Sequence, residues 1–311
     1  MQINLDLPTE FFLPETRAGF YVDEKRKKIW AVELDLIKKF SDVCEKYNLS
    51  YFMDGGTLLG AVRHQGFIPW DDDVDVNMPR KDYDRLIQIA SSEFQYPYFL
   101  QTSLSMKGFF RTHAQLRNST TTGCILIDAK KPQINKGIWL DIFVFDNVTD
   151  NFLVKKFHKR RIQFVKNLLR MKYDVDKNNI NSFSRKLIYK YASHYYKKHT
   201  FEELFTYFDQ KVLAAYSGKP TKYMGNLTLK WKENWIWPSS YFQGYCYLPF
   251  ENLLLRAPLF YRDVLAHQYG DYMRIPDIKK EGNKTTHGVT IMDPDTPYEE
   301  FDFSNVLKLP E

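Results

Sequence analysis

The chain is poor in cysteine, and its three, Cys44, Cys124 and Cys246, are far apart and without C-x-x-C spacing. That excludes a disulfide framework and a cysteine zinc site, and it fits a reducing compartment. No apolar run approaches the roughly 20 residues that span a bilayer. The opening residues MQINLDLPTEFF lack the basic stretch and apolar run of a secretory signal. These absences lead us to expect a cytoplasmic protein, in peripheral contact at most with the inner face of a membrane. There is no internal repeat and no low-complexity linker, so repeat architectures are excluded.

Hydrophobic residues make up 44% of the 311 positions and aromatics 16%, enough to bury a core in one elaborated domain or two. The net charge of +6 is uneven. Lysines and arginines crowd the middle, from Lys155 to Lys172 and from Arg185 to Lys198. Such a run attracts polyanions and is also what a solvated helix face looks like. It carries no nucleic-acid-binding motif, so no nucleic-acid partner is expected.

Residues 1–22 read as an irregular arm. From Asp23 the apolar positions Ile29, Val32, Leu36, Ile37, Phe40, Val43 and Tyr47 recur at three- and four-residue spacing, which predicts a helix closed by Asn48. A short strand at Tyr51-Phe52-Met53 leads into Gly55-Gly56 and a second helix over 57–63. A strand, a glycine pair and a helix start suit an anion, although an ordinary tight turn has the same pattern. Asp73-Val74-Asp75-Val76 alternates as a half-buried strand does. A helix is expected over 82–90, and short strands between about 96 and 148, of which 138–145 is the clearest. A basic helical stretch follows to 217, broken near 178–182; the rest is mixed, with an aromatic stretch from Trp231 to Tyr247, a helix over 258–269 and a polar tail with Lys279-Lys280. This divides the chain into 1–150, a core with its N-terminal arm and helix; 151–225, a basic helical insertion; and 226–311, a C-terminal part that packs on the core.

Chemistry concentrates in Asp71-Asp72-Asp73-Val74-Asp75. In a strand, Asp73 and Asp75 project to one side and Asp72 faces away. Carboxylates held side by side repel unless protonated or bridged by a cation. Mg²⁺, or Mn²⁺ in its place, accepts one or two carboxylates plus phosphate oxygens. Asp71 joins them or supports them. Asp141 stands alone in the apolar run Ile138 to Val144, where a charge needs a partner. It either pairs with an arginine or completes a three-carboxylate site, as ligand or as the base for the acceptor's proton. Arg63, Arg111 and Arg117 are candidates for phosphate, and each serves equally in a salt bridge; His64 and His287 are weaker candidates.

The run from Asp54 to Val76, DGGTLLGAVRHQGFIPWDDDVDV, resembles the signature of the LicD/fukutin family. Further similar pieces are Met78 to Tyr83, Arg117 to Thr121, Trp139 to Phe143, Leu248-Pro249-Phe250 and Tyr269 to Met273, so the resemblance spans about residues 25–290. It implies an α/β fold: a nucleotidyltransferase-like core with a mixed β-sheet, a helical insertion and a C-terminal mixed segment. It also implies transfer of phosphocholine from CDP-choline to a glycan or lipid-linked glycan, of teichoic acid or lipopolysaccharide type, or of ribitol phosphate from CDP-ribitol. Carried over, Asp73, Asp75 and Asp141 hold the metal with Asp71 close by, and Gly55, Gly56, Thr57, Arg63 and Arg117 border the nucleotide phosphates. Where the family pattern has a lysine two residues before Arg117, this chain has Gln115. A choline group needs an aromatic surface; Trp231, Trp235, Trp237, Tyr241, Tyr245 and Tyr247 are the densest candidates.

Overall fold

The computed structural model describes residues 1–172, 198–219, 221–227, 235–275, 290–304 and 306. In chain order the strands used below are β1 (Glu15–Arg17), β2 (Phe20–Val22), β3 (Phe52–Met53), β4 (Asp75–Pro79), β5 (Tyr98–Gln101), β6 (Ala114–Asn118), β7 (Thr122–Ile125), β8 (Ile138–Val148), β9 (Tyr223–Gly225), β10 (Ile236–Pro238), β11 (Tyr245–Phe250), β12 (Leu253–Pro258) and β13 (Thr290–Asp293). The helices are α1 (Glu24–Lys46), α2 (Gly55–His64), α3 (Arg80–Glu93), α4 (Leu126–Ala129), α5 (Phe152–Lys172), α6 (Phe201–Tyr207) and α7 (Tyr261–Tyr269). No helix among the described residues is long and apolar enough to cross a membrane.

Two compact units emerge. The first comprises Met1–Gln101, His113–Val144 and Ser240–Glu311; the second comprises Thr102–Thr112 and Phe145–Ser239. The first is a mixed α/β unit around a mixed sheet. Its strand order is β5-β6-β8-β4-β3, so β8 runs between β6 and β4. On β8 the buried Leu140 faces Leu116 of β6 across the ladder. Helix α1 begins where Asp23 accepts from the Arg26 N–H at 2.8 Å, an N-cap. It buries Trp30, Leu34, Leu36, Ile37 and Phe40 completely, the expected apolar stripe and more.

The N-terminal arm is more ordered than the irregular segment expected from its prolines. β1 and β2 form an antiparallel hairpin, and Asp35 of α1 accepts from the N–H groups of Asn4 and Leu5 at 2.7 and 2.8 Å and from the Tyr98 hydroxyl at 2.8 Å. The second unit is built from the end of β8, which pairs with β9, and from α5, α6 and the helical turns after α6. Its core joins Val148, Ile162, Val165, Leu169, Phe205, Phe208 and Val212. Residues 178–182, Arg185 to Lys197, Trp231, Lys279-Lys280 and His287 lie outside the described residues.

The turn after α2 leads into the acidic cluster and is locked by close backbone approach. Gln65 ends the helix in the left-handed conformation, and the Gly66 N–H reaches back to the Gly60 carbonyl at 3.4 Å. A Cβ on Gly60 would collide with that turn at the Gly66 carbonyl and sit 3.3 Å from the Ile68 nitrogen. In a free helix Gly→Ala stabilises by about 0.5–1 kcal/mol. Here we expect Gly60→Ala to destabilise by about 1–3 kcal/mol, the usual cost of overpacking, in urea unfolding. A stabilised variant would show that this approach is not a constraint.

Candidate functional site

Asp54 precedes α2 and its side chain makes no cap hydrogen bond, so the first-turn N–H groups of this ten-residue helix carry positive character. Two carboxylates lie close beside the glycine pair at this helix start. A Cβ at Gly55 would lie 3.2 Å from Asp75 Oδ2, and one at Gly56 only 2.5 Å from Asp71 Oδ2. Gly55 also has φ +52°, a left-handed conformation suited to glycine. The glycine pair, expected to border phosphates, therefore first makes room for the acidic cluster. Thr57 fixes its far side: its Oγ1 accepts from the Asp75 N–H at 2.8 Å.

The alternation expected for the Asp run holds only in part. β4 starts at Asp75, and residues 71–74 are irregular, so period-two reasoning does not reach Asp72. Instead of facing away, Asp72 joins Asp71 and Asp73: each offers a carboxylate oxygen, all within 4.8 Å of one another. Val74 and Val76 are fully buried, as expected.

Asp141 is bound to the cluster through the ladder, its N–H donating to the Val74 carbonyl at 3.0 Å. Its Oδ1 accepts from Gln115 Nε2 at 2.8 Å and faces His113 Nε2 at 3.0 Å, and its Oδ2 accepts from Trp139 Nε1 at 2.9 Å. Burial pushes this carboxyl up, but the charge and hydrogen bond of His113, with Gln115 and Trp139, outweigh it and hold Asp141 below the usual range. Three partners take three of roughly four lone-pair positions, leaving one for a cation. Neither His113 nor the bridging role of Gln115 was visible beforehand. The signal was alternation along β6, which puts residues 113, 115 and 117 on one face beside Asp141 and Trp139.

Arg117 does not stand open for a phosphate. It is 1% exposed and donates to the carbonyls of Gly137 and Gly123 at 2.7 and 3.1 Å and to the Gln115 side chain. It thus acts on Asp141 through Gln115. Arg63 is half-buried, donates to the Arg274 carbonyl at 3.0 Å and keeps a buried Nε with no partner, a donor left for an anion. Burial lowers its pKa, opposed by the nearby charges of Tyr269 and Asp71. Arg111 belongs to the second unit. His64 packs edge-on to Trp70 at 6.2 Å, and burial lowers its pKa. Tyr269 also reaches the site, its hydroxyl 3.9 Å from a Cβ built at Gly55. Burial and the surrounding aspartates raise its pKa.

Sequence reasoning missed Glu33. It lies on the α1 face that carries Arg26 and Trp30, at i, i+4 and i+7. Both of those side chains donate to the Asp71 carbonyl, at 2.7 and 3.4 Å. Glu33 is fully buried and neither carboxyl oxygen has a hydrogen-bond partner, in contrast to Asp35 two residues on. Burial, then the charges of Asp72 and Asp71, push its pKa well up. Asp73 is raised by burial and by Asp75 and Asp71; Asp75 by burial and by Asp141 and Asp54. Burial lifts Asp54 to about 6. A cavity of about 410 Å³ adjoins the cluster, with Asp72, Asp23, Lys25, Arg26 and Phe301 on its wall.

The aromatic candidates divide. Trp237 is fully buried and packs on Phe145 at 5.6 Å in the second unit. Tyr245 and Tyr247 are half exposed in the first unit and meet edge-on at 5.6 Å. Arg256 already lies over Tyr245, 4.7 Å from the ring centre.

Fold and site together define an α/β protein that crowds carboxylates at a glycine-rich helix start. Comparison with known proteins narrows this further. Residues 48–173 match the family model described as LicD/FKTN/FKRP, nucleotidyltransferase domain. The chain is 31% identical over 272 residues to the lipopolysaccharide cholinephosphotransferase LicD of Haemophilus influenzae, covering 82% of this chain and 92% of that protein. It is 41% identical over 51 residues to the human ribitol 5-phosphate transferase FKRP, 16% of this chain and 10% of that one. An uncharacterized protein of Rickettsia prowazekii, RP689, is 33% identical over 117 residues, 38% of this chain and 40% of that one. The chain belongs to the LicD family, a family of transferases.

A carboxyl whose pKa rises on folding binds its proton more tightly in the folded state. The stability this gives is present below the ordinary carboxylate range and is lost as pH rises through the folded value. Glu33, Asp73, Asp75 and Asp54 act in this sense, Asp54 between 3.8 and about 6; Asp141 acts in the opposite one. In chelator the thermal midpoint should fall from about pH 5 to pH 7.5, with the slope set by the four raised groups. Glu33→Gln should raise the midpoint at pH 7.5 by about 2–4 °C, the equivalent of about 1 kcal/mol. A lowered midpoint would mean that the charge on Glu33 is compensated.

Proposed function

We propose that the protein transfers phosphocholine from CDP-choline to a sugar hydroxyl of a cell-envelope glycan precursor, releasing CMP. The observation that carries this is the gathering of Asp71, Asp72, Asp73 and Asp75 at the α2 start, in a chain similar over most of its length to a cholinephosphotransferase. The donor set fits a divalent cation. Three carboxylate oxygens lie within 4.8 Å of one another, burial and neighbouring carboxylates raise the pKa values of Asp73 and Asp75, and Glu33 is buried beside them with both oxygens unpartnered. Asp73, Asp75 and Asp141, with Asp71 and Asp72, would hold Mg²⁺ or Mn²⁺. When bound, such an ion neutralises phosphate oxygens and the charge that develops on the leaving CMP.

The chain's own residues do the rest. The α2 N-terminus and the free Arg63 Nε face negative charge, and both suit the pyrophosphate. His113, Gln115 and Trp139 fix the orientation of Asp141 and keep it ionised, while Arg117 holds Gln115 in turn. In the transfer the acceptor oxygen forms a bond to the β-phosphorus as the bond to CMP breaks, and the hydroxyl proton passes to a carboxylate of the cluster. The cavity beside Asp72 offers the donor or the sugar a place next to these groups. A CDP-linked donor places the reaction in the cytoplasm, at the inner face of the membrane where a lipid-linked acceptor lies.

The match over 51 residues to a ribitol 5-phosphate transferase favours a second reading, in which a polyol phosphate is the cargo on the same site. A thermal-shift panel of CDP-choline, CDP-ribitol and CDP-glycerol with Mg²⁺ separates the two: the true donor shifts the midpoint and the others do not. With CDP-choline and a lipopolysaccharide-type acceptor, CMP release should need Mg²⁺ or Mn²⁺ and cease in chelator. Asp73→Asn should cost about 10²-fold or more in turnover, as loss of a main electrostatic group does. Full turnover in chelator, or in that variant, would sink the metal assignment.

A further inference from the structure

Helix α5 has two apolar faces, and among the described residues of its unit only one of them is packed. His158, Ile162, Val165 and Leu169, at i, i+4, i+7 and i+11, are 0–6% exposed; the three aliphatic residues enter the core with Phe205, Phe208 and Val212, and His158 hydrogen-bonds the Val212 carbonyl at 2.6 Å. On the opposite side Leu153, Phe157 and Phe164 recur at i, i+4 and i+11, which is again one stripe. They are 73%, 74% and 46% exposed, and Phe152 beside them is 75% exposed. A helix that only caps a core keeps its outer face polar; large side chains clustered in water mark an interaction surface.

Charge identifies the partner. From Phe152 to Lys172 the helix carries eight lysines and arginines and no aspartate or glutamate. Lys156, Arg160 and Arg161 flank the stripe and are exposed. The apolar residues concentrate in the first turns, and the cations extend along the whole helix. An apolar stripe bordered by cations on a convex helix is the pattern of a helix lying in the headgroup region of an anionic bilayer, rings inserted and cations against lipid phosphates. A protein partner would call for a groove to receive the stripe or for acidic complements; a convex, carboxylate-free face offers a bilayer the better match. We propose that α5 is the membrane-docking element of this protein and binds anionic phospholipid surfaces. The proposal rests on α5 alone, not on the identity of the group transferred.

The test is flotation of the full-length protein with vesicles of phosphatidylcholine alone and of phosphatidylcholine with about one third phosphatidylglycerol. The protein should float with the anionic vesicles at low salt, at least tenfold more than with neutral ones, and be released by high salt. Leu153→Ser/Phe157→Ser and Lys156→Glu/Arg160→Glu should each cut partitioning about tenfold or more. Because these positions face solvent, both variants should keep the wild-type circular dichroism spectrum and thermal midpoint, which separates lost docking from lost folding. Wild-type protein that ignores anionic vesicles, or folded variants that bind as well as wild type, would overturn the proposal. So would self-association broken by Leu153→Ser/Phe157→Ser without vesicle binding, since the stripe would then be an interface between copies of this chain.

Discussion

The site turns on electrostatic crowding. Asp71, Asp72, Asp73 and Asp75 converge with Glu33, Asp54 and Asp141, and burial gives each less water to disperse its charge. The protein offsets part of this. The α2 N-terminus faces Asp71 and Asp75, Arg26 lies near Glu33 and holds the Asp71 carbonyl, and His113, Gln115 and Trp139 surround Asp141. Glu33, Asp73 and Asp75 remain raised, by burial first and by the neighbouring carboxylates after it.

Holding such a cluster together requires a rigid frame, and distant segments supply it. The turn between α2 and the aspartates is clamped by Glu251, which lies between β11 and β12. Its N–H donates to the Gln65 carbonyl at 2.7 Å, and its carboxylate accepts from the Phe67 N–H at 3.0 Å and from Arg17 of β1. Phe67 stacks on Trp30 with ring centres 4.7 Å apart. Three parts of the chain thus fix one loop, so the N-terminal hairpin supports the site although it contributes no chemistry of its own.

Much was legible in advance because it is local. The α1 stripe, the strand at Asp141 and the strand–glycine–helix order follow from side-chain period and backbone preference, which act over a few residues. Asp72 was misplaced because period-two reasoning was extended into residues 71–74, which precede the strand. Glu33 was missed because an acidic residue within an apolar helix reads as solvent-facing until packing closes over it. Arg117 was expected at a phosphate because arginine has that chemistry; its burial among the carbonyls of Gly123 and Gly137 arises from the fold of the segment after β6.

By itself the sequence determined the chemistry that is present: a dense aspartate run, a glycine pair ahead of a helix, a lone carboxylate in an apolar strand and a helix rich in cations. These are matters of composition and spacing. Only the tertiary structure decided which carboxylates share one space, that Asp141 is held by His113 and Gln115, that Glu33 is buried against the cluster without a partner, and that α5 leaves an apolar stripe in water. Each of these depends on contacts between residues far apart in the chain. Charge and burial act through space, and no periodicity along the sequence records them.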